Sequence, residues 1–163
     1  MIRPIVLWPD PILSQICAPI EQIDAPVQQL ATDMLETMYD APGRGLAAPQ
    51  VGVLLRMFVM DTAWKDGDRT PTVVINPNIT DRSDQSVIGP EGCLSIPGVT
   101  ADVTRAAEIT MQWTGLDGSL FVERLTGFTA ICAQHEFDHL EGRVTFDRLT
   151  SDVRSILQAE YLA

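Results

Sequence analysis

Histidine is nearly absent from this chain: its 163 residues include two, His135 and His139. Basic residues are scarce as well, 11 Lys and Arg against 22 Asp and Glu, for a formal net charge of -11. Nucleic-acid binding is driven by Lys and Arg releasing counterions from phosphates, so this balance, with no basic run to offset it, predicts no nucleic-acid partner. Long apolar runs are missing too. No stretch approaches the roughly 20 apolar residues of a membrane span, and the N-terminal residues lack a signal-peptide core, so a cytoplasmic protein without membrane contact is expected. Cysteine is limited to Cys17, Cys93 and Cys132. An odd, widely spaced set suits free thiols in a reducing compartment, and excludes a disulfide scaffold. Repeats, low-complexity tracts and linkers are also lacking, which predicts one domain over residues 1–163.

What histidine there is falls inside one motif, Gln134-His135-Glu136-Phe137-Asp138-His139. On an α-helix the four-residue step puts both imidazoles on one face, a turn apart, where they can hold one metal ion. In the H-E-x-x-H arrangement the glutamate is not a ligand; it reaches over the metal-bound water and moves its protons. A bare H-E-x-x-H can also arise by chance on a solvated helix. Against that, a chain using histidine for bulk purposes would scatter it. A catalytic metal takes three protein ligands and keeps one position open for water, so a third ligand must come from elsewhere.

Residues 1–23 carry Pro4, Pro9, Pro11 and Pro19 and form an extended lead-in. From Asp24, an N-cap with Pro26 in the first turn, Val27, Leu30, Ala31, Met34, Leu35 and Met38 recur at the spacing of an amphipathic helix ending near Asp40. Gly43-Arg44-Gly45-Leu46-Ala47-Ala48-Pro49-Gln50 then packs small residues where another backbone can come close; alone, it reads as a loop before a buried strand. Residues 56–61 and 71–77 are predicted strands, paired antiparallel. The segment from Gly89 to Gly98 is a tight turn around Cys93, which alone reads as a small buried hydrophobe. Beside two helical histidines it becomes the candidate third ligand. Residues 103–113 and 119–125 alternate as two strands about the turn Leu116-Asp117-Gly118. The helix carrying H-E-x-x-H, capped by Thr126 and ended by Gly142, is apolar on nearly all faces and so is expected inside the domain. A last helix opens at Thr150 and lines up Val153, Ile156, Leu157 and Tyr161. The fold class expected is α+β, antiparallel and mixed β-strands packed around a central buried helix that carries H-E-x-x-H.

Three segments, Gly43 to Gln50, Glu91-Gly92-Cys93-Leu94-Ser95 and Gln134 to His139, occur in the order of the peptide deformylase family, which the chain resembles over essentially its full length. The resemblance implies a metal-dependent hydrolase that removes the formyl group from the N-terminal methionine of newly made proteins. It implies Cys93, His135 and His139 as metal ligands, Glu136 as the acid-base residue, and Gln50 with the Leu94 backbone N–H as oxyanion stabilisers. It also implies an N-formylated nascent peptide added as a strand between the Gly45 and Gly92-Cys93 segments, with its first side chain against Arg44, Ile88, Phe128, Thr129 and Cys132. Arg105 is implied to pair with Glu91 or Asp138 and so fix ligand geometry.

The family's usual ion is Fe²⁺, and a thiolate ligand suits Fe²⁺, Co²⁺, Ni²⁺ or Zn²⁺. Arg44 and Thr129 stand where the family generally has apolar residues, so altered first-residue specificity, toward a smaller or acidic residue, is one alternative. A weakly catalytic protein that binds N-terminal peptides is another, although it would have no need of Glu136. A peptidase cutting internal amides is disfavoured, because its third ligand would lie downstream of H-E-x-x-H rather than upstream at Cys93. Some family members dock on the ribosome through a basic C-terminal helix; with Arg154 the sole positive charge near the end of this chain, that route is not expected here.

Overall fold

Asp24 starts the first helix by accepting a hydrogen bond from the Val27 amide at 3.1 Å, with Pro26 presetting φ in the first turn. In the computed structural model, which describes residues 1–163, this helix, α1, spans Ala25–Asp40. Its inner face, Val27, Leu30, Ala31, Met34 and Met38, packs on Leu46, Met57, Val59 and Ile75. The strands that receive it are β1 (Gly45–Ala47), β2 (Met57–Met60) and β3 (Thr72–Arg82). Along β2 successive side chains point opposite ways: Met57 and Val59 toward α1, Phe58 and Met60 toward the cluster around Ala130 and Ala133 of the last-but-one helix. All four are buried because both faces of the strand are covered, and each contributes about 1.5–3 kcal/mol of burial.

That second helix, α2, spans Gly127–Leu140 and packs against β1, β2 and two later strands, Glu108–Thr114 and Leu120–Thr126. The main sheet has five strands in the order β1-β2-β3-β6-β7, where β6 is Glu108–Thr114 and β7 is Leu120–Thr126. A separate hairpin joins β4 (Ser86–Cys93) to β5 (Ile96–Ala106). Every ladder is antiparallel, so the expected mixed character is corrected; the one parallel contact is an isolated bridge between Ala18 and Leu55. The hairpin is the element the sequence hides. Residues 89–93 belong to a strand, and the tight turn shrinks to Leu94-Ser95.

The single strand expected over 103–113 is two strands in different sheets. Its alternation runs on because the break at Ala107 preserves parity: Val103 and Arg105 are buried on β5, Ile109, Met111 and Trp113 on β6. Gln134 of α2 makes the break possible by accepting from the Ala106 N–H at 3.2 Å and donating to its carbonyl at 2.9 Å. Thr126 and Thr150 precede their helices without capping them through their side chains, contrary to expectation for Thr126. The end of α2 does follow the glycine: Gly142, at φ 75°, donates to His139 O, and Arg143 N–H to Asp138 O at 2.9 Å, the paired bonds of a Schellman motif. The last helix, α3, spans Ser151–Leu162 and presses Leu157 and Tyr161 onto the cluster of Leu13, Ile96 and Phe146, while Val153 and Ile156 face outward.

Candidate metal centre

Three elements converge on one point. A 3-10 turn after β1, Ala48–Val51, delivers Gln50; the β4–β5 turn delivers Cys93 and Leu94; α2 delivers His135, Glu136 and His139. The proline-rich lead-in ties the first two together from behind, with the Val6 N–H donating to Gln50 O at 2.7 Å and the Trp8 N–H to Ser95 O at 2.9 Å.

Cys93, His135 and His139 bring one donor atom each within 4.8 Å of one another. Cys93 Sγ and His139 Nε2 are 3.5 Å apart. Tetrahedral bonds of ordinary length to a sulfur and a nitrogen would put those atoms about 3.6 Å apart, so the pair is spaced to share an ion. His135 Nδ1 donates to Glu91 Oε1 at 2.9 Å; a carboxylate only accepts, so a proton sits on Nδ1 and Nε2 is the ring nitrogen left to bind an ion. Burial pushes the Cys93 thiol up, but His139 and His135 outweigh it and hold it well below the usual thiol range. For His135 burial opposes charging, yet Cys93, Glu91 and Glu136 hold its pKa well above the usual value. Thiolate and imidazole thus share a proton of the kind a divalent cation displaces. The donor set and its spacing fit a metal.

Glu136 is buried beside them, and its Oε2 has no protein partner. Burial raises its carboxyl above the usual range, against the pull of His135 and His139. Its other oxygen lies in the space a side chain at position 45 would fill, since a Cβ on Gly45 would come within 2.6 Å of Oε1. Gln50 accepts from the Ala47 N–H on Oε1 at 2.9 Å, which turns Nε2 toward Ser95 Oγ, at 3.0 Å, and Cys93 Sγ, at 3.6 Å. Arg105 bridges both candidate carboxylates: Nε and Nη2 each donate to Glu91 at 2.9 Å, and Nη1 to Asp138 at 2.6 Å. Arg148 grips Asp138 from the other side at 2.6 Å. The whole chain of charges is buried apart from Arg148, and removing a member leaves an uncompensated charge.

In front of this centre opens a cleft of about 620 Å³. Arg44, Gly45, Gly92, Phe128 and Cys132 line it. Ile88 does not: it lies on β4 roughly 13 Å along the strand from Gly92 and is 70% exposed. Thr129 does not either; it turns away to hydrogen-bond Thr62 at 3.0 Å and lines a separate depression beside Trp113 and Phe121. Ile131 and Lys65 line the cleft and were missed. Ile131 could have been found from helical spacing, three residues after Phe128 and four before His135; nothing local marks Lys65, which sits in a 3-10 turn over Trp64–Asp66.

A family model described as polypeptide deformylase matches residues 2–155. The peptide deformylase of Agrobacterium fabrum is 50% identical over 149 residues, covering 91% of this chain and 88% of its own. That of Mesorhizobium japonicum is 44% identical over 160 residues, covering 98% and 91%. Among solved structures, a peptide deformylase from Legionella pneumophila superposes with a TM-score of 0.93 at 38% identity, over 99% of this chain and 94% of that one. The Ehrlichia chaffeensis enzyme in complex with actinonin gives 0.91 at 36%, over 98% and 95%. Matched along nearly its whole length in sequence and in fold, the chain belongs to the peptide deformylase family, whose members are metal-dependent hydrolases.

Proposed function

We propose that this chain removes the N-formyl group from the first methionine of newly synthesised proteins in the cytoplasm, with residues 1–163 acting as one catalytic domain. The observation that carries the reading is the donor triad of Cys93, His135 and His139 within 4.8 Å, with the Glu136 carboxylate buried alongside. The Cys93 thiolate and the two imidazoles would hold one divalent ion, Fe²⁺ in the cell and Zn²⁺, Ni²⁺ or Co²⁺ by substitution, since a thiolate–imidazole set accepts all four. Bound there, such an ion lowers the pKa of water toward about 7 and polarises a carbonyl oxygen.

Glu136 takes the proton of the attacking water and gives it to the departing amine nitrogen; a carboxyl raised by burial suits a group that must do both. Gln50 Nε2, held at the Cys93 edge, and the Leu94 backbone N–H in the two-residue turn donate to the oxyanion that develops on the formyl oxygen. Loss of one such donor costs about 100- to 1000-fold in kcat. Arg105 steadies Glu91, and Glu91 steadies the His135 ring. The peptide lies extended between the Gly45 and Cys93 segments, where the open space beside Gly92 admits its backbone, with its first side chain against Phe128 and Cys132.

Hydrolysis of formyl-Met-Ala-Ser by Fe²⁺-loaded protein, purified anaerobically, tests this. Metal-dependent release of formate supports the reading. A fully loaded protein that binds the peptide and releases none overturns it in favour of an N-terminal-peptide-binding protein.

A further inference from the structure

The chain has 22 acidic and 11 basic residues, yet the cleft before His135 and Glu136 carries two cations, Arg44 and Lys65, on its walls. Neither of them takes part in any ion pair of the molecule. The Arg44 guanidinium rests over the Phe128 ring, 5.4 Å from its centre, and its Nε is buried without an acceptor. Its backbone is pinned, since the carbonyl accepts from the Cys132 thiol at 3.7 Å. Lys65 is tied to the same segment: the neighbouring Trp64 donates its indole N–H to Gly43 O at 2.9 Å and packs edge-on against Tyr39. Neither cleft carboxylate answers these cations: Glu91 is engaged by Arg105 and His135, and Glu136 forms no ion pair with either.

An unpaired guanidinium held on an aromatic face is oriented in advance for a planar anion, which it grips with parallel N–H bonds. Its distance from the chemistry says where that anion sits. Phe128 precedes Glu136 by eight helical residues, about 12 Å of helix, and an extended peptide covers about 3.4 Å per residue. The Arg44 end of the cleft therefore meets the first three residues of a bound peptide. We propose that Arg44, backed by Lys65, is a specificity-determining residue that favours formylated peptides bearing a carboxylate within their first three residues. The proposal rests on the deformylase reading.

The test is kcat/KM for formyl-Met-Ala-Ser and for peptides in which Asp or Lys replaces the first, second or third residue in turn, at low and high salt. At one position at least, the Asp peptide exceeds its Lys counterpart by about fivefold, the scale of one partly exposed ion pair, and high salt shrinks the ratio. Arg44→Ile brings that ratio to unity, Lys65→Ala lowers it partway, and Arg44→Lys, which keeps charge and loses the fork, retains part of it. The readout is a ratio, so a general loss of activity in a variant does not imitate it; were Arg44→Ile to misfold, Arg44→Lys and the salt series decide. Ratios near unity at all three positions in the wild type, or a ratio unchanged in Arg44→Ile or Arg44→Lys, overturn this inference alone. Failure to hydrolyse any formyl-peptide overturns the deformylase reading and this inference with it.

Discussion

Glu136 keeps its carboxylate where any side chain at position 45 would have to go: a Cβ there would lie 2.6 Å from Oε1 and 2.9 Å from Cys132 Sγ, both on buried residues of α2. Gly45→Ala therefore displaces the candidate proton carrier. A misplacement of about 1 Å costs roughly 100-fold in kcat, and that loss is predicted here with bound metal retained, as measured by steady-state rates and metal analysis. A kcat within twofold of wild type would contradict it. The sequence marks Gly45 as a place where a backbone can approach, and it misses the nearer reason, that Glu136 and Cys132 take up the space. Cys93, His135, Glu136 and His139 stand out by residue type and spacing, because metal chemistry restricts both. Arg105 is legible as a partner of Glu91 or Asp138, but its hold on both at once depends on how the β5 hairpin meets α2, which no local pattern records. Ile88 and Thr129 carry the opposite lesson: apolar character and nearness to a motif do not say which way a side chain faces.

α2 was legible almost to the residue, since a run apolar on most faces, stopped by glycine, has few other outcomes. Its end makes a prediction of its own. Gly142 sits at φ 75° with Ser14 O 2.7 Å from where a Cβ would be, whereas Gly52, at φ 83°, has nothing within 4 Å of that position. Gly52→Ala is expected to cost about 1 kcal/mol, from the left-handed backbone alone, and Gly142→Ala about 3 kcal/mol, from backbone plus contact. Denaturant midpoints at constant m measure both, and equal losses would show that the lead-in simply moves aside. The β4–β5 hairpin was not legible. Prolines and glycines at 89, 90, 92, 97 and 98 carry turn signals, and pairing across the hairpin satisfies the backbone despite them. The continuous alternation across Ala107 likewise conceals a change of sheet, because a period of two survives any break that keeps parity.

At the scale of the molecule, the sequence conveys class and charge, but it does not convey the strand order β1-β2-β3-β6-β7, which is set by long-range packing of α1 and α2 on opposite faces. The lead-in shows how such distant contacts couple to pH. Asp33, buried on α1, accepts from the Met1 ammonium at 2.8 Å, Gln29 at 2.8 Å and Arg3 at 3.0 Å. The Met1 ammonium and Gln29 outweigh burial and lower its pKa from 3.8 to about 2. A depressed carboxyl adds stability above its unfolded pKa and loses it as pH falls through the folded one. Asp33→Asn should thus be less stable than wild type at pH 6, with the gap closing between about pH 4 and pH 2; a gap constant over that range would contradict the assignment. The central claim is that a Cys93–His135–His139 metal centre works through Glu136. Its most direct test is formate release from formyl-Met-Ala-Ser by anaerobically purified Fe²⁺ protein, wild type against Glu136→Ala, with iron measured in both. The prediction is turnover in the wild type and a loss of at least about 100-fold in the variant at equal iron content. Equal turnover in the two, or an iron-loaded wild type that releases no formate, would contradict it.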